Sequence, residues 1–279
     1  MATIRSYRHD GLTFDIDDSG GDGDVVVLLH GFPQTKESWG RITPALAAAG
    51  YRVLAPNQRG YSPGARPTRR RDYAIGPLTN DVLALADAVE AKRFHVVGHD
   101  WGGAVAWSLA GGHADRVASV TSLCTPHTSA MARAMVTSTQ LLHSWYMAVF
   151  QLPGLPEWLA TSERGGKFFA KSLSDSGLPV EDAAASVAML RDGAARGAFN
   201  WYRGLPFSPA SGPGTISVPT LYVYGTGDFA LGRAAADLTA RYVTGPYRYE
   251  VLDGVSHWIP DTAAEVTGGL ILEHLAAHP

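Results

Sequence analysis

The sequence predicts an α/β protein: a mostly parallel central sheet with helices on both faces, and a helical cap inserted between two of its strands. Three observations lead there. Short apolar runs alternate with segments of helical period through most of the chain. A glycine-flanked turn, "VVGHDWGGAVAW" (Val96 to Trp107), joins one such run to a helix of small residues. Between about Pro126 and Gly214 the alternation stops, and a stretch rich in Trp, Tyr, Phe, Met and Pro shows helical segments but no clear strand. The expected plan is a core over 1–125, a helical cap over 126–214, and the core resuming over 215–279.

The elements follow in order. "VVVLLH" (Val25 to His30) is a continuous apolar run ending at a glycine turn, the pattern of a strand buried on both faces. "RITPALAAAG" is a helix that stops at Gly50, and "YRVLAP" is the next strand. "LTNDVLALADAVEAK" sets Val82, Leu85, Ala86 and Val89 on one helix face. "FHVVG" is a strand, "GAVAWSLAGG" a helix whose small residues allow close packing, and "RVASVTSLC" a strand. Loop residues in "SPASGPGTISVP" close the insert. "TLYVYG", a helix from about Leu231 to Tyr242, "YRYEVLD" and a helix from about Ala263 to Ala277 then resume the alternation. A cap so placed would cover the strand ends, where open α/β sheets bind ligands.

Composition narrows the function. The chain has 279 residues, 46% hydrophobic and 18% charged, which suits a well-cored globular protein. A net charge of −3 favours neither nucleic acid nor an anionic membrane. The basic run "TRRRD" (Thr68 to Asp72) reads as a solvated loop. Cys124 is the only cysteine, so no intramolecular disulfide can form, and its apolar surroundings suggest a buried, inert thiol. The start "MATIRSYRHDG" has no apolar signal region, and no run is long enough to span a bilayer. A cytoplasmic monomer or homodimer is expected.

The turn "GHDWGG" has Gly98 and Gly102 two residues either side of Asp100. It resembles the nucleophile elbow of the α/β-hydrolase fold, a sharp strand-to-helix turn that exposes its central side chain. The plain alternative is a helix N-cap aspartate. Two further features favour the elbow. "LLHGFPQ" ends the earlier strand; in that fold such a turn supplies one N–H of an oxyanion hole and the residue after the nucleophile the other, here Phe32 and Trp101. An acid and a histidine then follow in the expected order, Asp228 in "VYGTGDF" and His257 in "GVSHW", each just after a strand.

With "HGFP" and a tryptophan shortly after, "QRGY", "VVGHDWGG", "NWYR" and "SHW", nearly the whole chain resembles the epoxide hydrolases of the α/β-hydrolase fold. The resemblance implies that Asp100 is a nucleophile, that Asp228 and His257 complete a triad, and that Tyr146 and Tyr202 of the cap are acids holding the epoxide oxygen. Phe32, Trp101, Phe150 and Trp201 are the candidate substrate contacts. No metal or cofactor is implied; the partners are a small apolar substrate and water. Three departures bear on substrate preference: Gln34 stands where Glu is common, Leu152 where an acid is common, and "SPGARP" replaces the usual turn after "RGY".

Chemistry explains a carboxylate at the elbow. A serine attacking an epoxide carbon would leave a stable ether. An aspartate leaves an ester, whose carbonyl water can attack, so one hard displacement becomes two easier steps. Haloalkane dehalogenases share "HDWGG" and the ester chemistry, but their usual Asn after "HG" is replaced here by Phe32. A non-catalytic binding protein on this fold would not need the set Asp100, Asp228 and His257.

Overall fold

The computed structural model describes residues 3–279. Its centre is an eight-stranded sheet in the order β1-β2-β4-β3-β5-β6-β7-β8. The strands are β1 (Ser6–His9), β2 (Leu12–Asp18), β3 (Val25–Leu29), β4 (Arg52–Pro56), β5 (Phe94–His99), β6 (Val117–Leu123), β7 (Thr220–Gly227) and β8 (Tyr247–Ser256). From β4 across to β8 every pairing is parallel. Every residue of β3, β4, β5 and β6 is buried, as expected of largely apolar strands in a sheet covered on both sides.

All six strands expected from the sequence are present. The antiparallel hairpin β1–β2 was not expected; β2 joins the sheet antiparallel to β4. Its signal is "HDGL": Asp10 and Gly11 both take positive φ, 49° and 74°, as a two-residue hairpin turn demands.

The order of the strands creates the site. From β3 the chain crosses to β4 on one side, and from β5 to β6 on the other, while β3 and β5 pair directly with Leu29 opposite Gly98. Their carboxyl ends therefore flank a topological switch point, the crevice where such sheets bind ligands. "HGFP" leaves β3 there and "DWGG" leaves β5.

Between β6 and β7 the described residues form helices and turns without a strand of the sheet. Helices Tyr146–Phe150, Leu155–Thr161, Glu163–Asp175, Val180–Met189 and Ala195–Gly204 lie in this insert. Arg203 ties it together. Its buried guanidinium donates to the carbonyls of Phe150 and Leu152 and to Glu157. Such a planar fork holds three segments at once, and it fixes the neighbouring Tyr202 relative to Tyr146 and Phe150. No helix among the described residues is long and apolar enough to cross a membrane.

Candidate active site

Asp100 begins the helix Trp101–Gly112 with φ 50° and ψ −119°, a conformation unfavourable for any residue but glycine. The turn is possible only because its neighbours lack side chains. A Cβ on Gly102 would lie 2.0 Å from the Leu29 carbonyl oxygen, and one on Gly31 would lie 2.3 Å from Asp100 Cβ. The Thr125 hydroxyl donates to the Asp100 carbonyl at 2.6 Å and braces the strained residue.

The carboxylate of Asp100 faces two groups. Phe32 donates its N–H to Oδ1 at 2.7 Å, and His257 Nε2 lies 3.6 Å from Oδ2, beyond hydrogen-bond reach. The Phe32 turn is held from below: His30 Nδ1 donates to the Gly31 carbonyl, and its Nε2 accepts from the Gln58 amide. Burial lowers the His30 imidazole to about 4, so it stays neutral. No bond from the Trp101 N–H to Asp100 is present among the described residues.

His257 completes a relay. Its Nδ1 donates to Asp228 Oδ2 at 2.8 Å, while Asp228 Oδ1 accepts the amides of Ala230 and Leu231 at 2.8 and 2.9 Å. Burial disfavours a charged imidazole, but the charge of Asp228 and the proximity of Asp100 prevail, and His257 sits well above its ordinary pKa. Asp100 is likewise pulled in two directions: burial raises its pKa, His257 and the Phe32 amide lower it, and the net is downward. The site thus favours an ionised carboxylate beside an imidazole.

Two further side chains, neither expected at the site from the sequence, hold the backbone of His257. His99 Nε2 and Cys124 Sγ both donate to the His257 carbonyl at 2.9 Å. Burial, with His257 nearby, lowers His99 to about 4, and burial pushes the Cys124 thiol up to about 12, so both remain neutral donors. No sequence pattern pairs residue 124 with residue 257. Among the described residues, His99, Cys124 and His257 are also the one group whose ligand atoms could converge on a metal ion.

A cavity of about 680 Å³ lies beneath the insert, lined largely by apolar side chains that include Phe32, Phe150, Phe169, Phe199 and Trp258. Tyr146 and Tyr202 are in its wall, with ring centroids 6.2 Å apart and planes at 81°. Burial, compounded by the nearby Asp100 charge, raises both phenols. Phe32 joins cavity and triad: its ring lines the cavity and packs on Phe150 and Tyr202, while its amide holds Asp100. Asp100 and His257 are not among the lining residues; Phe32, which bonds Asp100, and Trp258, next to His257, are.

Trp201 and Trp101, expected from the sequence as substrate contacts, are not in the lining of this cavity. Trp201 is buried, with its indole N–H donating to the Arg59 carbonyl at 2.8 Å. Adjacent residues on a helix point about 100° apart, so Tyr202 on the cavity side sends Trp201 toward the core. Its ring lines a separate cavity of about 490 Å³ together with Trp101, whose own ring also packs edge-on against Tyr202 at 5.0 Å.

The fold and the elbow define an enzyme class, and residues 24–264 match the α/β-hydrolase fold family. The chain is 35% identical to epoxide hydrolase A of Mycobacterium tuberculosis, with 96% of each chain covered. It is 34% identical to the AB hydrolase superfamily protein YfhM of Bacillus subtilis, with 95% of each covered. The crystal structure of epoxide hydrolase A from Mycobacterium thermoresistibile superposes with a TM-score of 0.81 at 28% identity, over 98% of this chain and 97% of that one. The chain belongs to the epoxide hydrolase family.

Proposed function

We propose that this enzyme opens apolar epoxides to vicinal diols through an ester on Asp100. The observation that carries the reading is the arrangement around one carboxylate, with Oδ1 on the Phe32 amide and Oδ2 toward the His257–Asp228 pair.

In the first step Oδ2 of Asp100 attacks an epoxide carbon and the C–O bond breaks. The released oxygen takes a proton from Tyr146 or Tyr202, which hydrogen-bond it together. Burial raises both phenols above the ordinary value of about 10, yet a phenol remains a stronger acid than an alcohol, so a developing alkoxide can still take its proton. In the second step His257 takes a proton from water, and the hydroxide attacks Cγ of the Asp100 ester. Charge develops on Oδ1, where the Phe32 amide already points; one such donor contributes about 3–4 kcal/mol in comparable sites. Trp101 is the candidate for a second donor. On collapse of the tetrahedral intermediate the departing alkoxide takes the proton held by His257 and leaves as the diol, and the proton left on the Asp100 carboxyl returns to the tyrosinate.

The cavity lining supports a small apolar substrate, with Phe32 and Phe150 as its contacts. The reading assigns 1–125 and 215–279 to the catalytic core and 126–214 to the cap, in a cytoplasmic monomer or homodimer that uses water as co-substrate. The deciding experiment incubates the protein with styrene oxide and, separately, with a haloalkane. Diol without halide is expected. Halide release without diol would replace this reading with a dehalogenase, and neither product would leave a binding protein.

A further inference from the structure

Gln34 and Asp261 meet at a point the reaction scheme does not use. Gln34 lies two residues beyond Phe32, on the loop whose amide holds Asp100. Asp261 lies four residues beyond His257, in the short helix Ile259–Thr262. Both side chains are buried, and Gln34 Nε2 donates to Asp261 Oδ2 at 2.9 Å. One bond therefore ties the loop that holds the nucleophile to the loop that carries the base.

Each group keeps one more oxygen, Gln34 Oε1 and Asp261 Oδ1. Both are buried from solvent and neither has a hydrogen-bond partner. An amide oxygen only accepts, and so does an ionised carboxylate, so two buried acceptors on bonded partners are left bare, which is costly. The charged groups around them do not supply the missing donor. Arg41 Nη1 lies 3.6 Å from Asp261 Oδ1 and bonds Asp182 at 3.2 Å instead. Asp182 faces the spot from the helix Val180–Met189, where Glu181 lies against Arg41; Glu37 faces it from the turn after Gln34, and His257 from the site itself.

We propose that Asp261 is a positioning residue: it keeps a proton on Oδ1 and donates it to Gln34 Oε1, closing a two-bond acid–amide ring that holds the Phe32 loop against the His257 loop. A single proton satisfies both bare oxygens at once. Burial lifts the Asp261 carboxyl to about 7; the Gln34 hydrogen bond opposes that rise, Asp182 adds to it, and Arg41 and His257 oppose it. The ring is closed below neutral pH and opens above it. Its role in catalysis rests on the reading of Asp100 and His257 given above, but its existence does not.

The first test needs no substrate. Asp261→Asn offers an NH₂ to Gln34 Oε1 and a carbonyl to Nε2, so it makes the same ring without a titrating proton. A carboxyl whose folded pKa is raised contributes stability that is full below its unfolded value, about 3.9, and is lost as pH rises through the folded value. The thermal midpoint of the parent should therefore fall relative to Asp261→Asn between pH 5 and pH 8. A difference that does not change with pH would overturn the proposal. The second test measures turnover of styrene oxide. Asp261→Ala and Gln34→Leu should lower kcat about tenfold through misplacement of the two loops, with KM changing less than about twofold. Asp261→Asn should restore kcat and remove the inflection near neutral pH. Failure of that rescue would refute the positioning role. If the alanine and leucine variants do not fold, the pH profiles of Asp261→Asn still decide. Loss of the Asp100 ester as an intermediate would sink the reaction scheme while leaving the pH-dependent stability result intact.

Discussion

The amide of Phe32 lies 2.7 Å from Oδ1 of Asp100, so one oxygen of the carboxylate is held before any substrate arrives. In the proposed reaction Oδ2 would then be the attacking atom, and Oδ1 would sit where charge develops during ester hydrolysis.

The two half-reactions should separate by mutation. His257→Gln should let ring opening run and block release, accumulating one covalent adduct per chain on Asp100. Asp100→Ala should give neither adduct nor diol. Asp228→Asn should keep the adduct step and slow its hydrolysis, because His257 loses its orienting charge. Intact-protein mass spectrometry after exposure to styrene oxide reads all three. Continued diol production by His257→Gln with no adduct would mean that water attacks the epoxide directly.

Tyr146→Phe and Tyr202→Phe should each slow adduct formation, and the double variant should lose about 10²-fold or more, the scale of general acid catalysis. Adduct breakdown should change little. Rapid-quench measurement of the first turnover tests this. A double variant that opens epoxides at the parent rate would make both tyrosines packing residues.

The pH response should differ between the two steps. In the free site His257 lies above its ordinary value of about 6.5 because, against burial, Asp228 and Asp100 favour its charged form. Once Asp100 is an ester it carries no charge, and the imidazole loses part of that support. Hydrolysis of the adduct needs neutral His257, so its rate should rise with pH around an inflection below the His257 pKa measured by NMR in the free enzyme. An inflection at or above that pKa would contradict the coupling.

Cys124→Ala removes one of two donors to the His257 carbonyl and should cost about 1 kcal/mol of stability, together with slower adduct hydrolysis. Cys124→Ser should restore much of both, since the thiol acts as a neutral donor. Urea unfolding and single-turnover kinetics provide the comparison; an alanine variant equal to the parent in both would show that the bond is incidental.

Gly102→Ala should lose more than about 3 kcal/mol, the range reserved for severe steric or core defects. The added methyl would meet the Leu29 and His30 carbonyl oxygens at 2.0 and 2.8 Å, and backbone cannot move aside as a side chain can. Retained stability in chemical denaturation would show that the elbow is looser than its geometry implies.

The sequence by itself determined the local elements and the order of the chemical groups. Short, largely apolar runs alternating with helical periods marked the strands of a covered sheet, and the glycines around Asp100 marked a tight turn. Tertiary structure decided which groups meet. Phe32 reaches Asp100 because the topology sets the end of β3 beside the end of β5. Trp201 and Tyr202 are equally aromatic neighbours, and only the packing of their helix sent one to the core and the other to the cavity. Gln34 meets Asp261 across a separation of 227 positions, and Cys124 meets His257 across 133. Periodicity reports the environment of a few consecutive residues, whereas these contacts depend on where distant segments come together, which the pattern along the chain does not encode.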